Sequence, residues 1–329
     1  MPYSEDPSQN LIVSTMKNEG PFVLEWVAYH RVIGFESFLI YTNDCTDGTD
    51  RLLERLDALG IVHHRHNEVL RRGPHKSALK YARADPIYDA ARWVLVSDVD
   101  EFLNIGVGAG HLTDLLAHYP DADAIPVTWR MFSNNGHVGL LDGVLEPLTE
   151  CEPDGDGPGE KRFVKTLFRC PAALDKLGLH APHYTDEAGV RWRSAFADAM
   201  PGRDPRRPFR ALGYEIAQMN HYAVRSIDCY LLKRDRGRAN HVRQTLSSEY
   251  WARWCRGGTT DRSILRHMPA VQAEIARLMA DPEVARLDAE ARAQHRARLA
   301  ELHDDPDYAV LRVELLQLSG AAPQTTVTE

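Results

Sequence analysis

Two aspartates with one residue between them, Asp98 and Asp100, are the clearest chemical feature of this sequence. They follow the apolar run at residues 94–96, which predicts a buried parallel strand. Ligands in open α/β sheets bind beyond the carboxyl ends of the strands, and the acidic pair is expected there. Two close carboxylates repel each other unless a cation lies between them, and Mg²⁺ or Mn²⁺ would satisfy both. An acidic, solvated turn is the alternative interpretation.

The hydrophobic pattern indicates which elements position this pair. In the first 100 residues, short apolar runs alternate four times with segments whose apolar residues recur at helical spacing, as Leu52, Leu53 and Leu56 do. This alternation predicts an α/β fold with a mostly parallel sheet covered by helices. Further strands are expected at residues 123–130, 163–169 and 218–224, and further helices at residues 226–236 and 263–318.

Composition excludes some classes of function. The chain has 329 residues and a formal net charge of −8, which argues against nucleic-acid binding because that needs a basic face. The five cysteines are scattered, without the spacing of a zinc site or a disulfide framework, so a reducing, cytoplasmic compartment is expected. The polar first ten residues lack the apolar core of a signal peptide, and no transmembrane run is found. Peripheral attachment to the inner face of a membrane stays open.

A series of motifs resembles one enzyme family. In chain order they are KNE (17–19), NDCTDGT (43–49), HKSALKYA (75–82) and DVDEF (98–102). This order resembles the amino-terminal half of family-two-like glycosyltransferases with the GT-A fold. The later segments WRMFSNNG (129–136), KTLFR (165–169) and NHYAVRSIDCYLLKRDRG (220–237) resemble the branch with a DxDEF acidic motif. The resemblance covers about residues 10–260.

The resemblance also implies a domain organisation. A GT-A glycosyltransferase domain is expected over residues 1–260, with a nucleotide-sugar half at about 10–125 and an acceptor half at 126–260. Residues 261–319 are expected to form a helical C-terminal extension, and residues 320–329 a disordered tail. The extension either packs on the catalytic domain or pairs two subunits of a homo-oligomer.

In the enzymes that the chain resembles, a nucleotide-sugar donor lies across the carboxyl ends of the strands, with UDP as the usual carrier. The resemblance implies that Asp98 and Asp100 hold a metal ion on the diphosphate. Asp100 is the stronger direct ligand, and Asp98 reaches the ribose or a metal-bound water. His221 would complete the metal site, and its imidazole favours Mn²⁺ over Mg²⁺. A structural role beside Tyr222 is the alternative for His221.

Two further segments are predicted to contact the donor. The loop with Asn43, Asp44 and Asp47 would approach the uracil and ribose, although Asp47 is equally suited to cap the next helix. His75 and Lys76 open a helix whose free N–H groups would attract the diphosphate. An ordinary solvated helix start is the alternative for these two residues.

Relatives of this kind invert the anomeric centre in a single displacement. Lys233 and Arg236 are spaced i, i+3 and so lie on one helical face, where they would neutralise the leaving diphosphate. A solvated basic face is equally consistent with their spacing.

The acceptor side should supply the carboxylate that takes the proton of the acceptor hydroxyl. Glu146 matches a glutamate that is frequent in the branch that the chain resembles, and Asp142 is the other nearby candidate for the base. The alternative for either residue is an ordinary exposed acid in a loop. Trp129, Phe132 and His137 could form a platform for a sugar ring, although core packing is the more common role of such aromatic residues.

Two other classes of protein share parts of this pattern. A sugar-phosphate nucleotidylyltransferase would need a glycine-rich phosphate loop after the first strand, and MKNEG (16–20) has one glycine. A non-catalytic nucleotide-sugar or glycan binding protein on the same fold is distinguished by whether it consumes the donor. For a glycosyltransferase, a glycan or glycoconjugate acceptor and a role in surface polysaccharide or glycoconjugate synthesis are expected.

Overall fold

A computed structural model describes residues 9–154, 163–170, 174–193, 213–237 and 246–320. Apart from its first residue, the predicted tail at 320–329 lies outside the described residues. The described chain forms an α/β fold in which helices cover an eight-stranded sheet and further helices end the chain, as predicted.

The strands are short, and most of their residues are buried. In chain order they are β1 (Gln9–Met16), β2 (Ser37–Thr42), β3 (His63–His66), β4 (Ala91–Val96), β5 (Glu101–Ile105), β6 (Ala124–Met131), β7 (Glu150–Cys151), β8 (Val164–Arg169), β9 (Leu174–Lys176), β10 (His183–Tyr184), β11 (Ala217–His221) and β12 (Thr259–Thr260).

The helices alternate with the first strands and then dominate the end of the chain. They are α1 (Gly20–Ile33), α2 (Thr49–Ala58), α3 (Pro74–Arg83), α4 (Pro86–Asp89), α5 (Leu112–His118), α6 (Ile227–Asp235), α7 (Ser248–Trp254), α8 (Met268–Met279), α9 (Pro282–His303) and α10 (Pro306–Leu318), with a 3₁₀ turn at Ser263–His267.

The order of strands in the main sheet is β3-β2-β1-β4-β8-β6-β11-β5. The β3-β2-β1-β4 part is parallel throughout, β11 is also parallel to β6, and β8 and β5 run antiparallel to their neighbours. Because the chain order reverses between β1 and β4, loops at the carboxyl ends of these strands diverge and leave a crevice.

Local sequence explains why the elements form where they do. Along β1, Leu11 and Val13 enter one apolar cluster and Ile12 enters the other, so the strand is buried on both faces. Helix α1 has Pro21 in its first turn and ends at Gly34, whose φ of 112° is the left-handed conformation of a helix C-cap.

Strand β5 is the main element that the sequence pattern did not predict. The acidic pair lies in a tight turn, after which Glu101–Ile105 returns along the sheet and pairs with β11. Its partner lies more than 100 residues later in the chain, and such non-local pairing leaves no periodic signal near the strand itself.

The C-terminal helices pack on the first half of the chain. Val271, Leu278, Val284 and Leu287 join the same apolar cluster as β1 and α1. This packing was one of the two predicted alternatives, and the pairing of subunits through these helices stays a prediction. Among the described helices, none is both long and apolar enough to span a membrane.

Close contact between α1 and α9 gives a direct test of this docking. A Cβ atom built on Gly20 would lie 2.5 Å from the Cβ of Ala291. We expect Gly20→Ala to lower the free energy of unfolding, measured by urea denaturation, by about 1–3 kcal/mol because the helices must separate.

Ala291→Gly is the matched partner substitution, with an expected cost of about 1 kcal/mol for a glycine inside a helix. In the double variant the clash is gone, so the combined loss should be smaller than the sum of the single losses. Strictly additive losses would show that the two helices do not meet at this point.

Candidate active site at the carboxyl edge of the sheet

A cleft of about 600 Å³ opens beside the junction of β1 and β4. The loops after β1, β2 and β4 line it together with the segment before α3, and residues of β6, β11, α6 and α7 close the opposite side. Its position at the carboxyl ends of the parallel strands is where the sequence predicted a ligand site.

Asp100 lines this cleft and is 6% exposed. Its Oδ2 accepts a hydrogen bond from Lys233 Nζ at 2.6 Å, and the same ammonium donates to the carbonyl of Ala223 at 2.6 Å. Its Oδ1 lies 3.7 Å from His221 Nε2. Burial favours the neutral acid, but the Lys233 ammonium and His221 outweigh it and hold the pKa of Asp100 well below its usual range. Asp100 is therefore ionised.

Asp98 shares a buried lysine with Glu101. Lys165 Nζ lies 3.2 Å from Asp98 Oδ2 and 3.1 Å from Glu101 Oε2, and both Lys165 and Glu101 have fully buried side chains. Burial raises the pKa of Glu101 to about 7 despite this ammonium. The Asp98 side chain is 28% exposed and lines the cleft. The Lys165 ammonium outweighs the effect of burial and lowers the pKa of Asp98.

Glu19 lines the cleft and holds two arginines. Its carboxylate lies 2.5 Å from Arg236 Nη1 and 2.7 Å from Arg225 Nη1, and its side chain is 3% exposed. Arg236 Nη1 also donates to the carbonyl of Lys17 at 2.7 Å. Lys233 and Arg236, whose i, i+3 spacing places them on one helical face, thus both line the cleft, and each is held by a buried acid.

Sequence reasoning did not assign roles to Glu19, Lys165 or Arg225. Glu19 and Lys165 each lie in one of the motifs quoted above. Lys165 could have been recognised as part of a buried ion pair, because a charged side chain within the apolar strand β8 needs a buried partner. Arg225 has a φ of 55°, and its guanidinium carbon lies 3.6 Å from the centre of the Phe22 ring, which only the folded chain reveals.

The loop after β2 divides between the cleft and the protein interior. Asn43 and Asp44, which the sequence suggested as donor contacts, line the cleft. Asp47 does not line it: its carboxylate accepts hydrogen bonds from the N–H of Gly20 at 3.1 Å and of Thr49 at 2.9 Å, and lies 2.9 Å from His295 Nε2. The alternative structural role of Asp47 at the start of the next helix therefore fits its position.

His75 and Lys76 also separate. His75 lines the cleft, 3.9 Å from Asp98, and burial lowers its pKa so that the ring is neutral. Lys76 is exposed and does not line the cleft. Successive residues point about 100° apart around a helix, so both side chains cannot face the same cleft.

The predicted metal ligands converge in part. Asp100 Oδ1 and His221 Nε2 face each other at 3.7 Å, whereas Asp98 is turned toward Lys165. Within the described ranges, no group of three or more His, Cys, Asp or Glu side chains is arranged to hold a metal ion. Hard divalent cations often take one or two protein ligands and complete their shell with phosphate oxygens and water. Asp100 and His221 fit such a two-ligand site, and the predicted third ligand does not join it.

The predicted bases do not line the cleft. Glu146 is exposed beside α8, and the side chain of Asp142 is 96% exposed and paired with Arg292 of α9 at 2.9 Å. The buried carboxylate of Glu25 accepts hydrogen bonds from the backbone at 144–145, which holds this segment against α1. The positions of Glu146 and Asp142 therefore do not support either carboxylate as the base.

One of the three predicted platform residues faces the cleft. The Trp129 ring lies 4.2 Å from the His221 ring and 6.1 Å from the Trp254 ring, measured between centroids, and Trp129 lines the cleft. Phe132 is fully buried in the core, and His137 does not line the cleft. The aromatic surface at this end therefore comes from residues that the sequence did not group together.

Comparisons with known proteins find similarity to glycosyltransferases over part of the chain. Residues 13–138 match the model of Glycosyltransferase family 92. A family 92 protein of Ricinus communis is 33% identical over 108 residues, which are 32% of this chain and 18% of that protein. One of Oryza sativa subsp. japonica is 29% identical over 173 residues, which are 50% of this chain and 25% of that protein. The chain thus spans a quarter or less of the length of these relatives.

A likeness to solved structures is much weaker. S. aureus TarS 1-349 is 13% identical with a TM-score of 0.35, over 98% of this chain and 94% of that chain. A TM-score this low is no basis for transferring a function. The predicted resemblance is thus confirmed at the level of a glycosyltransferase family, and the family that matches is family 92.

Lys165 provides a test of the charge pairing beneath Asp98. We expect Lys165→Met to lower the free energy of unfolding by about 3–5 kcal/mol, because two carboxylates lose their shared buried cation. The loss should be larger at pH 8 than at pH 5. Glu101, with a folded pKa raised to about 7, is mostly protonated at the lower pH and needs no cation there.

Glu101→Gln in the Lys165→Met background is the control, and it should recover part of the loss at pH 8. Chemical denaturation at the two pH values measures all of these differences. A loss that is equal at both pH values and unaffected by Glu101→Gln would contradict the pairing.

Proposed function

We propose that this chain is a glycosyltransferase that moves a sugar from a nucleoside diphosphate sugar, with UDP as the expected carrier, to an acceptor hydroxyl. The observation that carries the proposal is a cleft at the carboxyl edge of the sheet that is lined by an acidic turn and by two cations, Lys233 and Arg236. Asp100 of the turn holds Lys233, and Glu19 holds Arg236. The family 92 similarity of residues 13–138 supports the same class of reaction.

The two sides of the cleft suit different parts of the donor. Asn43 and Asp44, next to β2, offer amide and carboxylate groups for the base and ribose. Asp98 offers exposed carboxylate oxygen for a ribose hydroxyl. The diphosphate would then lie between the acidic turn and α6, within reach of Lys233 and Arg236.

Lys233 is well prepared for this role. An ammonium has three N–H donors, and two of those of Lys233 are used by Asp100 and by the carbonyl of Ala223. The third is available to a phosphate oxygen. Because both partners fix the ammonium before the ligand arrives, binding and leaving-group stabilisation need little reorganisation.

Asp100 and His221 would hold a divalent cation, Mn²⁺ in preference to Mg²⁺, through Asp100 Oδ1 and His221 Nε2. Such an ion, when bound, would add positive charge against the diphosphate. We expect Lys233 to remain on the other carboxylate oxygen and Arg236 to remain on Glu19.

The reaction is proposed to invert the anomeric centre. The acceptor oxygen forms its bond to the anomeric carbon as the bond to the diphosphate oxygen breaks, and the hydroxyl proton passes to a base. Negative charge grows on the leaving diphosphate, where Lys233 and Arg236 stabilise it more strongly than in the ground state. A glycan or glycoconjugate acceptor and a role in polysaccharide or glycoconjugate synthesis complete the proposal.

UDP, GDP and dTDP, each with and without Mn²⁺, test the donor site by thermal shift. We expect UDP at 100 times its Kd to stabilise the protein by about 2.7 kcal/mol. Lys233→Met should weaken UDP binding about tenfold or more, because one phosphate contact and the cation on Asp100 are lost. Lys80→Met, an exposed lysine of α3 outside the cleft, is the matched control and should bind like the wild type.

Turnover separates an enzyme from a binding protein. UDP release from UDP-sugars, measured with a mixture of glycan acceptors, should proceed in the wild type and fall in Lys233→Met. Binding of UDP-sugars without any release would leave a nucleotide-sugar binding protein. If none of the three nucleotides shifts the melting temperature, the donor site itself is wrong.

A further inference from the structure

Five aromatic side chains form a cluster beside the cleft, and two of them line it. We call the five the aromatic wall. They come from β6, from the segments before β8 and β10, and from α7, and they are Trp129, Phe163, His180, Tyr250 and Trp254. Segments far apart in the chain thus converge on one surface, which lies opposite the loops proposed to take the nucleoside.

The rings of the aromatic wall contact one another closely. Between centroids, Trp129 lies 5.2 Å from Phe163 and 5.4 Å from His180, and Trp254 lies 5.9 Å from Phe163 and 6.0 Å from Tyr250. Such spacing is typical of aromatic packing that fixes each ring in place. A ligand would therefore meet a preorganised surface.

Partial exposure distinguishes the aromatic wall from the core. All five of its side chains are half-buried, whereas Trp26, Trp93 and Trp251 are at most 2% exposed. Complete burial of an indole or phenol ring is strongly favourable. The five partly exposed rings would therefore be stabilised further if a ligand covered them. This is the pattern of a surface that is covered when a ligand is bound.

The aromatic wall reaches the reacting end of the cleft. Trp129 and Tyr250 both line it, and the Trp129 ring is 4.2 Å from the ring of His221, which faces Asp100. Tyr250 stacks at 6.2 Å on Tyr230, so one of its faces is supported from behind. A group that rests on Trp129 and Tyr250 would lie next to the sugar of a donor whose diphosphate meets Lys233.

We propose that the aromatic wall is the acceptor subsite and that the acceptor group it binds is a sugar ring, stacked on Trp129 and Tyr250. This inference rests on the proposed glycosyltransferase function. One face of a pyranose carries C–H groups with slight positive charge, which pack on the electron-rich face of an aromatic ring. The hydroxyl groups at the edge of the sugar stay available to polar groups around it.

The chemistry of the aromatic wall favours a sugar over other hydroxyl acceptors. An alkyl alcohol of a lipid would be served by an aliphatic groove, whereas four of the five side chains, two indoles, an imidazole and a phenol, carry a polar group at the ring edge. A serine or threonine side chain is too small to cover two rings. A pyranose matches both the area and the mixture of apolar face and polar edge.

Saturation-transfer NMR with simple probes tests the subsite directly. The probes are methyl β-glucopyranoside, methyl β-galactopyranoside and methyl α-mannopyranoside, with N-acetylserinamide and 1-hexanol as non-sugar probes, each in the presence and absence of UDP. We expect at least one glycoside to receive magnetisation at its ring C–H protons. Tyr250→Ala should reduce that signal at least fivefold, whereas Tyr250→Phe, which keeps the ring, should retain most of it.

The UDP-induced thermal shift of the same variants separates this subsite from the donor site. Neither substitution should change this shift. An unchanged shift would also show that the variants are folded. The proposal is overturned if no glycoside binds the wild type, if a non-sugar probe binds in its place, or if Tyr250→Ala leaves the glycoside signal intact. If UDP did not shift the melting temperature of the wild type, the proposed donor site would be contradicted instead.

Discussion

Pairing of buried carboxylates with cations at the carboxyl edge of the sheet is the constraint on which the cleft depends. An ionised carboxylate removed from water costs several kcal/mol unless a partner compensates it. Asp100 has Lys233, Asp98 and Glu101 share Lys165, and Glu19 holds Arg236 and Arg225. The cations come from β8 and from residues 225–236, in and next to α6, all later in the chain than the carboxylates they pair with. The acidic turn and the first loop therefore depend on contacts with distant parts of the chain. The same pairing leaves a preformed set of charges facing the ligand.

The C-terminal helices extend this constraint to the loops around the cleft. His295 of α9 lies 2.9 Å from the Asp47 carboxylate, which also binds the first N–H of α1, and Arg292 donates to the carbonyl of Pro21 at 3.0 Å. Glu19 precedes α1 directly, so these contacts help to fix the residue that tethers Arg236. A helical extension remote from the cleft in sequence therefore helps to position it.

Much of this architecture was predictable from the sequence, because alternating apolar patterns and helix spacing are local signals. The alternation of the first four strands with helices, the position of Asp98 and Asp100 at a strand end, and the shared face of Lys233 and Arg236 all follow from such signals. The features that the sequence did not determine depended on long-range contacts. The orientation of Asp47 is set by α9, Glu146 is held away from the cleft by the backbone contacts of Glu25, and β5 exists through its pairing with β11. The buried charge of Lys165 was visible in the sequence, but its two partners were not.

The central claim is that the paired charges of this cleft receive a nucleoside diphosphate. A crystal structure with UDP bound tests it most directly. We expect the uridine beside Asn43 and Asp44, and phosphate oxygens within about 3.2 Å of Lys233 Nζ and an Arg236 guanidinium nitrogen, the upper range of a hydrogen bond. UDP bound elsewhere on the protein, or in the cleft with its phosphates directed away from both cations, would contradict the claim.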